Sequence, residues 1–396
     1  MRKMTRIAAG LAAMALVAVM AGCKGIPEYL TVSGTTITGC DKDRVPANLV
    51  IPKGITEIGF KAFNDCTSLE SVTIPAGVTE IGANAFKDCT SLESVTIPAS
   101  VKAIRSGAFS GCENIKTVKY RGKLAQWCQI DNISYYENTT ITLSDVPDLR
   151  TLQTLVIPDG VTSIGIRAFA FCKELTSVSI PASVKIIDYE AFSGCENIKT
   201  VQYRGKLAQW CQVENCFSSD FRANTTITLS DVPDLRTLKT LVIPDGVTSI
   251  GSSAFAFCKE LTSVSIPASV KTIGYEAFTG CTSLESVTIS AGVTEIGGSA
   301  FEYCTSLKSV TIPETVTEID IRAFNGCSLE SVTIPSSVRS MGAGAFWCSN
   351  IRTVKYNGTK AQWREISIHD IGRPYDGAFL GGVVHFTDGD IPANQD

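Results

Sequence analysis

The chain has 396 residues, 44% hydrophobic and 19% charged, with a formal net charge of -4. An acidic chain with no basic stripe is a poor binder of nucleic acid or anionic lipid. Length alone would imply two or three domains, but a short internal repeat cancels that inference, because a solenoid grows by adding coils.

Residues 1–22 stand apart from the rest. Arg2, Lys3 and Arg6 form a basic start, and Ile7 to Met20 is an apolar run. This has the shape of a secretory leader. The following Ala21-Gly22-Cys23 resembles a bacterial lipobox, in which Cys23 is acylated and becomes the mature N-terminus. Met20 stands where leucine is usual, and an ordinary leader with an incidental Cys23 is the alternative. No later run reaches the roughly 18 apolar residues of a membrane span, so a lipid on Cys23 would be the only anchor. Removing residues 1–22 removes three positive charges and no negative ones, leaving a formal charge of -7.

Residues 23–44 are expected to be a tether and an N-terminal cap. Tyr29 to Thr38 alternates apolar and polar residues around Ser33-Gly34, the pattern of a hairpin. Residues 45–354 then repeat one phrase, C-x-x-L-x-x-V-x-I-P-x-x-V-x-x-I-x-x-x-A-F-x-x, 23 residues from Cys to Cys. In Cys89 to Cys112, Leu92-x-x-Val95-x-Ile97 predicts a half-buried strand. Pro98 stops it. Val101 and Ile104 form a second inward edge, and Ser106 to Gly111 a helical turn that drops Phe109 inward. One unit cannot close a core, but stacked copies bury a column of Leu, Val, Ile, Phe and Cys.

Fifteen cysteines in an exported chain would ordinarily imply disulfides. Here Cys66, Cys89, Cys112, Cys172, Cys195, Cys258, Cys281, Cys304, Cys327 and Cys348 share one phase of the repeat, which predicts a ladder of buried thiols. Cys40, Cys128, Cys211 and Cys216 lie off that ladder. Without a C-x-x-C pair, a zinc site has no support.

The rhythm breaks at 119–154 and again at 202–240. Leu124 to Ile130 predicts a short amphipathic helix carrying Trp127, and Ser144 to Thr154 a shortened connection. The same stretch returns from Tyr203 with three extra residues near Cys216, so a longer repeat of about 85 residues overlies the short one. A third version, Tyr356-Asn-Gly-Thr-Lys-Ala-Gln-Trp363, opens a C-terminal cap over 355–388, followed by a polar tail over 389–396.

The unit L-x-x-V-x-I-P…V-x-x-I-G…A-F-x-x-C, as in Leu69 to Cys89 or Leu284 to Cys304, resembles the leucine-rich repeats of BspA-like bacterial surface proteins, also seen in treponemal repeat proteins. The Tyr356 to Trp363 segment resembles that family's terminal element. The resemblance spans roughly residues 30–388. It implies a right-handed leucine-rich-repeat solenoid, mainly β with short helical turns, of about 13 coils with a parallel sheet on the concave face. It also implies surface or secreted proteins, some of them adhesins for host matrix proteins or other bacteria, with no catalytic motif.

Outward strand positions such as Ser71, Thr73, Ser94 and Thr96 form a ladder of hydroxyls. It breaks at Val156 and Val242, and at Lys119, Gln202 and Lys355. Two alternatives stand: a docking surface for a protein, or a solvated face where β-branched Thr is favoured. Tyr135, Tyr136, Cys216, Phe217 and Phe221 lie in the divergent parts of the inserts, either as interface anchors or packed beneath their loops. The two histidines, His369 and His385, both fall in the terminal element, where any His-based catalytic site would have to be built. Asp and Glu are scattered without forming a metal cage, and no Gly-rich phosphate loop occurs, so no cofactor is expected. The sequence therefore predicts a non-enzymatic, lipid-anchored binding or adhesion protein on the bacterial outer membrane or cell surface, with a periplasmic-facing anchor also open. An envelope scaffold without a host ligand is the alternative.

Overall fold

The computed structural model describes residues 25–130, 139–188, 190–214, 225–348, 351–369, 383–389 and 391–392. In them the chain winds as a parallel β-solenoid of about 13 turns. Each regular coil has three sides. The first is a strand such as Ser94–Ile97, which pairs with Ser71–Thr73 on one side and Thr117–Tyr120 on the other. Val72, Val95 and Val118 are register partners, so each repeat position stacks on itself. Their side chains point inward and are buried, while the flanking Ser and Thr face out.

The second side is a strand of only two residues, such as Glu57–Ile58, Glu80–Ile81 or Ala103–Ile104, with the isoleucine buried. The third side returns through Ala-Phe. It is a succession of turns rather than the helical turn expected from sequence. Phe63 N–H donates to the Ala85 carbonyl and Phe86 N–H to the Ala108 carbonyl, both at 2.7 Å. These bonds run between coils. A helix would close the same N–H groups within its own coil and leave the stacked edge unpaired, which is costly when buried.

Aiming those amides along the axis requires the backbone to alternate in hand. Lys61, Asp65, Asn84 and Asp88 all have φ between 54° and 59°. A non-glycine residue there costs roughly 1–2 kcal/mol, which the inter-coil bonds offset. At Gly194 the choice of residue is forced twice over. Its φ is +73°, and an added Cβ would meet the Phe171 ring at 2.6 Å.

The core is built from aligned columns. The Phe255, Phe278, Phe301, Phe324 and Phe346 rings stack with centroids 5.2–5.4 Å apart. Phe63, Phe86 and Phe109 form a second stack at 5.1 and 5.3 Å. The repeat-phase cysteines are buried thiols. Each of several donates to the phenylalanine carbonyl of the preceding coil, as Cys112 does to Phe86 at 2.9 Å and Cys327 to Phe301 at 3.1 Å. Burial pushes the Cys258 and Cys304 thiols up to about 12.

The first-side strands do not form one continuous sheet. They divide into sheets of five, four, three and four strands. Two of the breaks fall at the shortened connections, where Leu149–Thr151 and Leu235–Thr237 form 3-10 turns. The Asp148 and Asp234 carboxylates accept from the Arg150 and Arg236 amides at 2.9 Å and cap those turns.

At the N-terminal end, β1 (Leu30–Ser33) and β2 (Thr36–Cys40) form an antiparallel hairpin. β2 pairs in parallel with Glu57–Ile58, so the hairpin extends the second side of the solenoid. Among the described residues three short helices interrupt the coils: α1 (Leu124–Trp127), α2 (Leu207–Trp210) and α3 (Lys360–Arg364). α1 is shorter than the Leu124 to Ile130 helix expected from sequence, and residues 128–130 continue as a turn and loop.

The three helices start alike. Lys123, Lys206 and Thr359 N–H groups donate to the side-chain carbonyl of the glutamine three residues on, at 2.9–3.0 Å. Asp145, Asp231 and Asp388 carboxylates accept from the next amide, also at 2.9–3.0 Å. In the two internal copies the tryptophan is fully buried, and its indole Nε1–H donates at 2.8 Å to Ala168 or Ala254. Those alanines open the Ala-Phe turn of the following coil. Elsewhere that carbonyl accepts from the phenylalanine amide of the coil before it. The indole thus replaces a main-chain amide where the inserted segment has removed one. In the terminal copy Trp363 is only half-buried and packs edge-on against Tyr356 and Phe386.

Candidate functional site

The first-side sheets present two outward columns separated by the buried valine column. Successive strands lie about 4.8 Å apart, so neighbouring outward side chains are close enough to be covered by one partner. In the first sheet one column runs Val50, Thr73, Thr96, Lys119, Thr142. In the second it runs Val156, Ser179, Gln202, Thr228. In the third it starts at Val242, Ser265, Thr288. In the last sheet Thr333, Lys355 and His385 are partners.

Each of the first three sheets therefore opens on an exposed valine, and a long polar side chain stands further along the first, second and last. Val50, Val156 and Val242 are 67%, 54% and 62% exposed. Their backbones are fixed by ladder bonds, and the neighbouring Leu49, Leu155 and Leu241 are buried at 1% exposure, so the valines cannot turn inward. Covering each would contribute about 1 kcal/mol. Around them side chains bond across coils: Ser71 Oγ donates to Asn48 Oδ1 at 2.6 Å and Thr200 Oγ1 to Ser177 Oγ at 3.0 Å.

The structure brings Val156 with Gln202, and Val242 with its hydroxyl neighbours, onto the same face. Lys119 and Lys355 share that face in their own sheets and are exposed. Val50 was missed from sequence, although the Leu-Val-Ile-Pro string at 49–52 recurs at 155–158 and 241–244 and could have flagged it. Tyr135, Tyr136, Cys216, Phe217, Phe221 and Cys23 lie outside the described residues. Cys128 and Cys211 are fully buried beneath the insert helices, and burial pushes their thiols up to about 12. Cys40 is not off the ladder: its Sγ lies 3.4 Å from Cys66 Sγ and extends the column by one step.

His385 is half-buried in the strand beside Lys355. Among the described residues no group of three or more His, Cys, Asp or Glu stands together as a metal site. No described helix is long and apolar enough to cross a membrane. The arrangement offers regular, rigid, mixed apolar and hydroxyl contacts, which suit a protein surface.

A family described as the BspA type leucine rich repeat region matches residues 46–151, 148–232 and 233–357. A leucine rich cell surface protein from Faecalibacterium prausnitzii is 32% identical, over 85% of this chain and 94% of its own, with a TM-score of 0.46. A leucine-rich repeat protein from Bacteroides ovatus is 29% identical, over 87% of this chain and 95% of its own, with a TM-score of 0.33. One from Eubacterium ventriosum is 17% identical, over 90% and 94% of the two chains, with a TM-score of 0.40. No curated protein matches.

Proposed function

The chain belongs to the BspA-type leucine-rich repeat family, and on that premise we propose that it is a surface-exposed, lipid-anchored binding protein that adheres to a host or bacterial protein. The observation that carries this is the three exposed valines, each opening one of the first three sheets on a face lined mainly by hydroxyls. Aliphatic anchors on a rigid backbone lose little conformational freedom on binding. The hydroxyls around them supply hydrogen bonds without the desolvation cost of charges. The cell-surface description of the F. prausnitzii relative supports an external location, as do the basic leader and Ala21-Gly22-Cys23.

Two measurements test this. Purified protein is first offered immobilised matrix proteins and whole bacterial cells. The Val156→Lys, Val242→Lys double variant, folded by circular dichroism, is expected to bind the captured partner at least about tenfold more weakly, since central apolar anchors dominate interface energy. Unchanged affinity would remove the sheet face from the interface. No capture, together with protection from protease on intact cells, would favour an envelope scaffold instead.

The anchor is tested separately. Cys23→Ala is expected to move the protein from the membrane pellet to the soluble fraction, because a lipid on Cys23 is the sole proposed attachment. Persistence in the pellet would sink the anchor while leaving the binding face intact.

A further inference from the structure

The thiol column has one open end. Among the described cysteines Cys40 alone is not buried, and its Sγ faces the fully buried Cys66 Sγ at 3.4 Å. The two sit across the seam between hairpin and solenoid. Cys40 closes β2, and Cys66 begins the first complete coil, 26 residues later. Deeper in the column, Cys89 and Cys112 donate to phenylalanine carbonyls at 3.1 and 2.9 Å. Cys40 and Cys66 meet one another directly at the exposed end of that column. A sulfur–sulfur bond is about 2.05 Å long, so closing this contact asks for a movement of little more than 1 Å at a seam.

We propose that Cys40 and Cys66 are a disulfide-forming site that covalently fastens the N-terminal hairpin to the first coil. The oxidant is an external disulfide, carried by a small thiol compound or a thiol oxidoreductase. Cys40, the less buried of the two, loses its proton and attacks one sulfur of the donor. The donor's disulfide breaks, one donor thiolate leaves, and Cys40 holds the other half as a mixed disulfide. The Cys66 thiolate then attacks Cys40 Sγ and expels the second donor thiolate. The two protons lost from the protein end on the two donor thiols; the donor is reduced by two electrons and the protein is oxidised by two.

The surroundings favour the second step. In the reduced pair the Cys40–Cys66 hydrogen bond raises the Cys40 thiol, as does burial, and lowers the Cys66 thiol, which the Lys42 ammonium also lowers. Lys42 is itself held across the seam by Asp65 at 3.2 Å. Once Cys40 is engaged its own S–H is gone, but the Lys42 ammonium remains to favour the Cys66 thiolate, and the short gap across the seam makes Cys66 the resolving sulfur. The proposal depends on the exported location only for where a donor is met. Its chemistry is tested on purified protein, so a failure of the anchor would leave it standing.

The test treats the purified, reduced full chain with oxidised glutathione. The expected product has lost two hydrogens and carries no glutathione on Cys40, and digestion joins the Cys40 and Cys66 peptides. Dithiothreitol reverses it. In Cys66→Ser the reaction stops at a glutathione adduct on Cys40. In Cys40→Ser neither adduct nor cross-link forms at this seam, and that variant keeps the test open if Cys66→Ser does not fold. Amide exchange over Leu30–Cys40 is expected to slow on the order of a hundred-fold in the cross-linked form, as closing a loop of this size predicts. A persistent glutathione adduct on wild-type Cys40, no reaction at Cys40, or a cross-link that leaves hairpin exchange unchanged would each overturn the proposal.

Discussion

Trp210→Ala is expected to destabilise the solenoid by about 4–6 kcal/mol and to split its unfolding into two transitions. Removing a buried tryptophan costs about 3–5 kcal/mol through lost burial and the cavity left behind. The Ala254 carbonyl, which accepts from the indole at 2.8 Å, loses its partner, at about 1 kcal/mol more. Trp210 is also the piece that joins the second block of coils to the third. Repeat proteins are stabilised by nearest-neighbour interfaces, so weakening one uncouples what lies on either side. Urea unfolding followed by circular dichroism should then show a lower-midpoint step that wild type lacks. Amide exchange should place the early loss next to Ala254. Trp210→Phe keeps most of the volume and loses only the N–H, and is expected to cost about 1–3 kcal/mol. A single transition at the wild-type midpoint for Trp210→Ala would show that the indole bond does not couple the blocks.

The second large effect is expected at Phe278, in the middle of the five-ring stack. Phe278→Ala removes a fully buried ring that stacks on Phe255 at 5.4 Å and on Phe301 at 5.3 Å. The cavity term gives about 3–5 kcal/mol, and each lost ring contact adds about 0.5–1.5 kcal/mol. Phe278→Leu fills most of the space without a ring and is expected to cost about 1–2 kcal/mol. Equal losses for Ala and Leu, measured by denaturant midpoint at constant slope, would mean that ring stacking rather than volume dominates. A loss below about 1 kcal/mol for Ala would mean that the column collapses to fill the gap.

The core was legible in sequence because one residue pattern repeats at constant period. Leu92, Val95, Ile97, Val101, Ile104, Phe109 and Cys112 all point inward, since a stacked coil offers each position one environment. The turn side was not legible. Its left-handed positions are filled by residues as unlike as Lys61, Asp88, Phe171 and Tyr303. Inter-coil hydrogen bonds fix those dihedrals, so side-chain type carries no signal for them. Two-residue strands such as Glu80–Ile81 are likewise too short for alternation to reveal. On the sheet face, Lys119, Val156, Gln202, Val242 and Lys355 were found because they depart from the Ser and Thr consensus. Val50 escaped although the same Leu-Val-Ile-Pro string flags Val156 and Val242, because its strand lies ahead of the first Cys-to-Cys repeat. The contact between Cys40 and Cys66 could not have been read at all, since it joins a hairpin outside the repeat to a coil inside it.

The stand-in of an indole for a main-chain amide has an evolutionary consequence. Where backbone closes a ladder, every inserted or deleted residue disturbs the register of the coils that follow. Here a side chain reaches across, so only the strands within the stretch between Trp and Ala must keep their ladders, and the connections between them are released from that duty. The stretch already runs 41 residues in one copy and 44 in the other, with the same 2.8 Å bond. Such connections can drift in length and composition while the scaffold around them stays constant. These are the conditions under which a repeat protein can vary what it presents without rebuilding its fold.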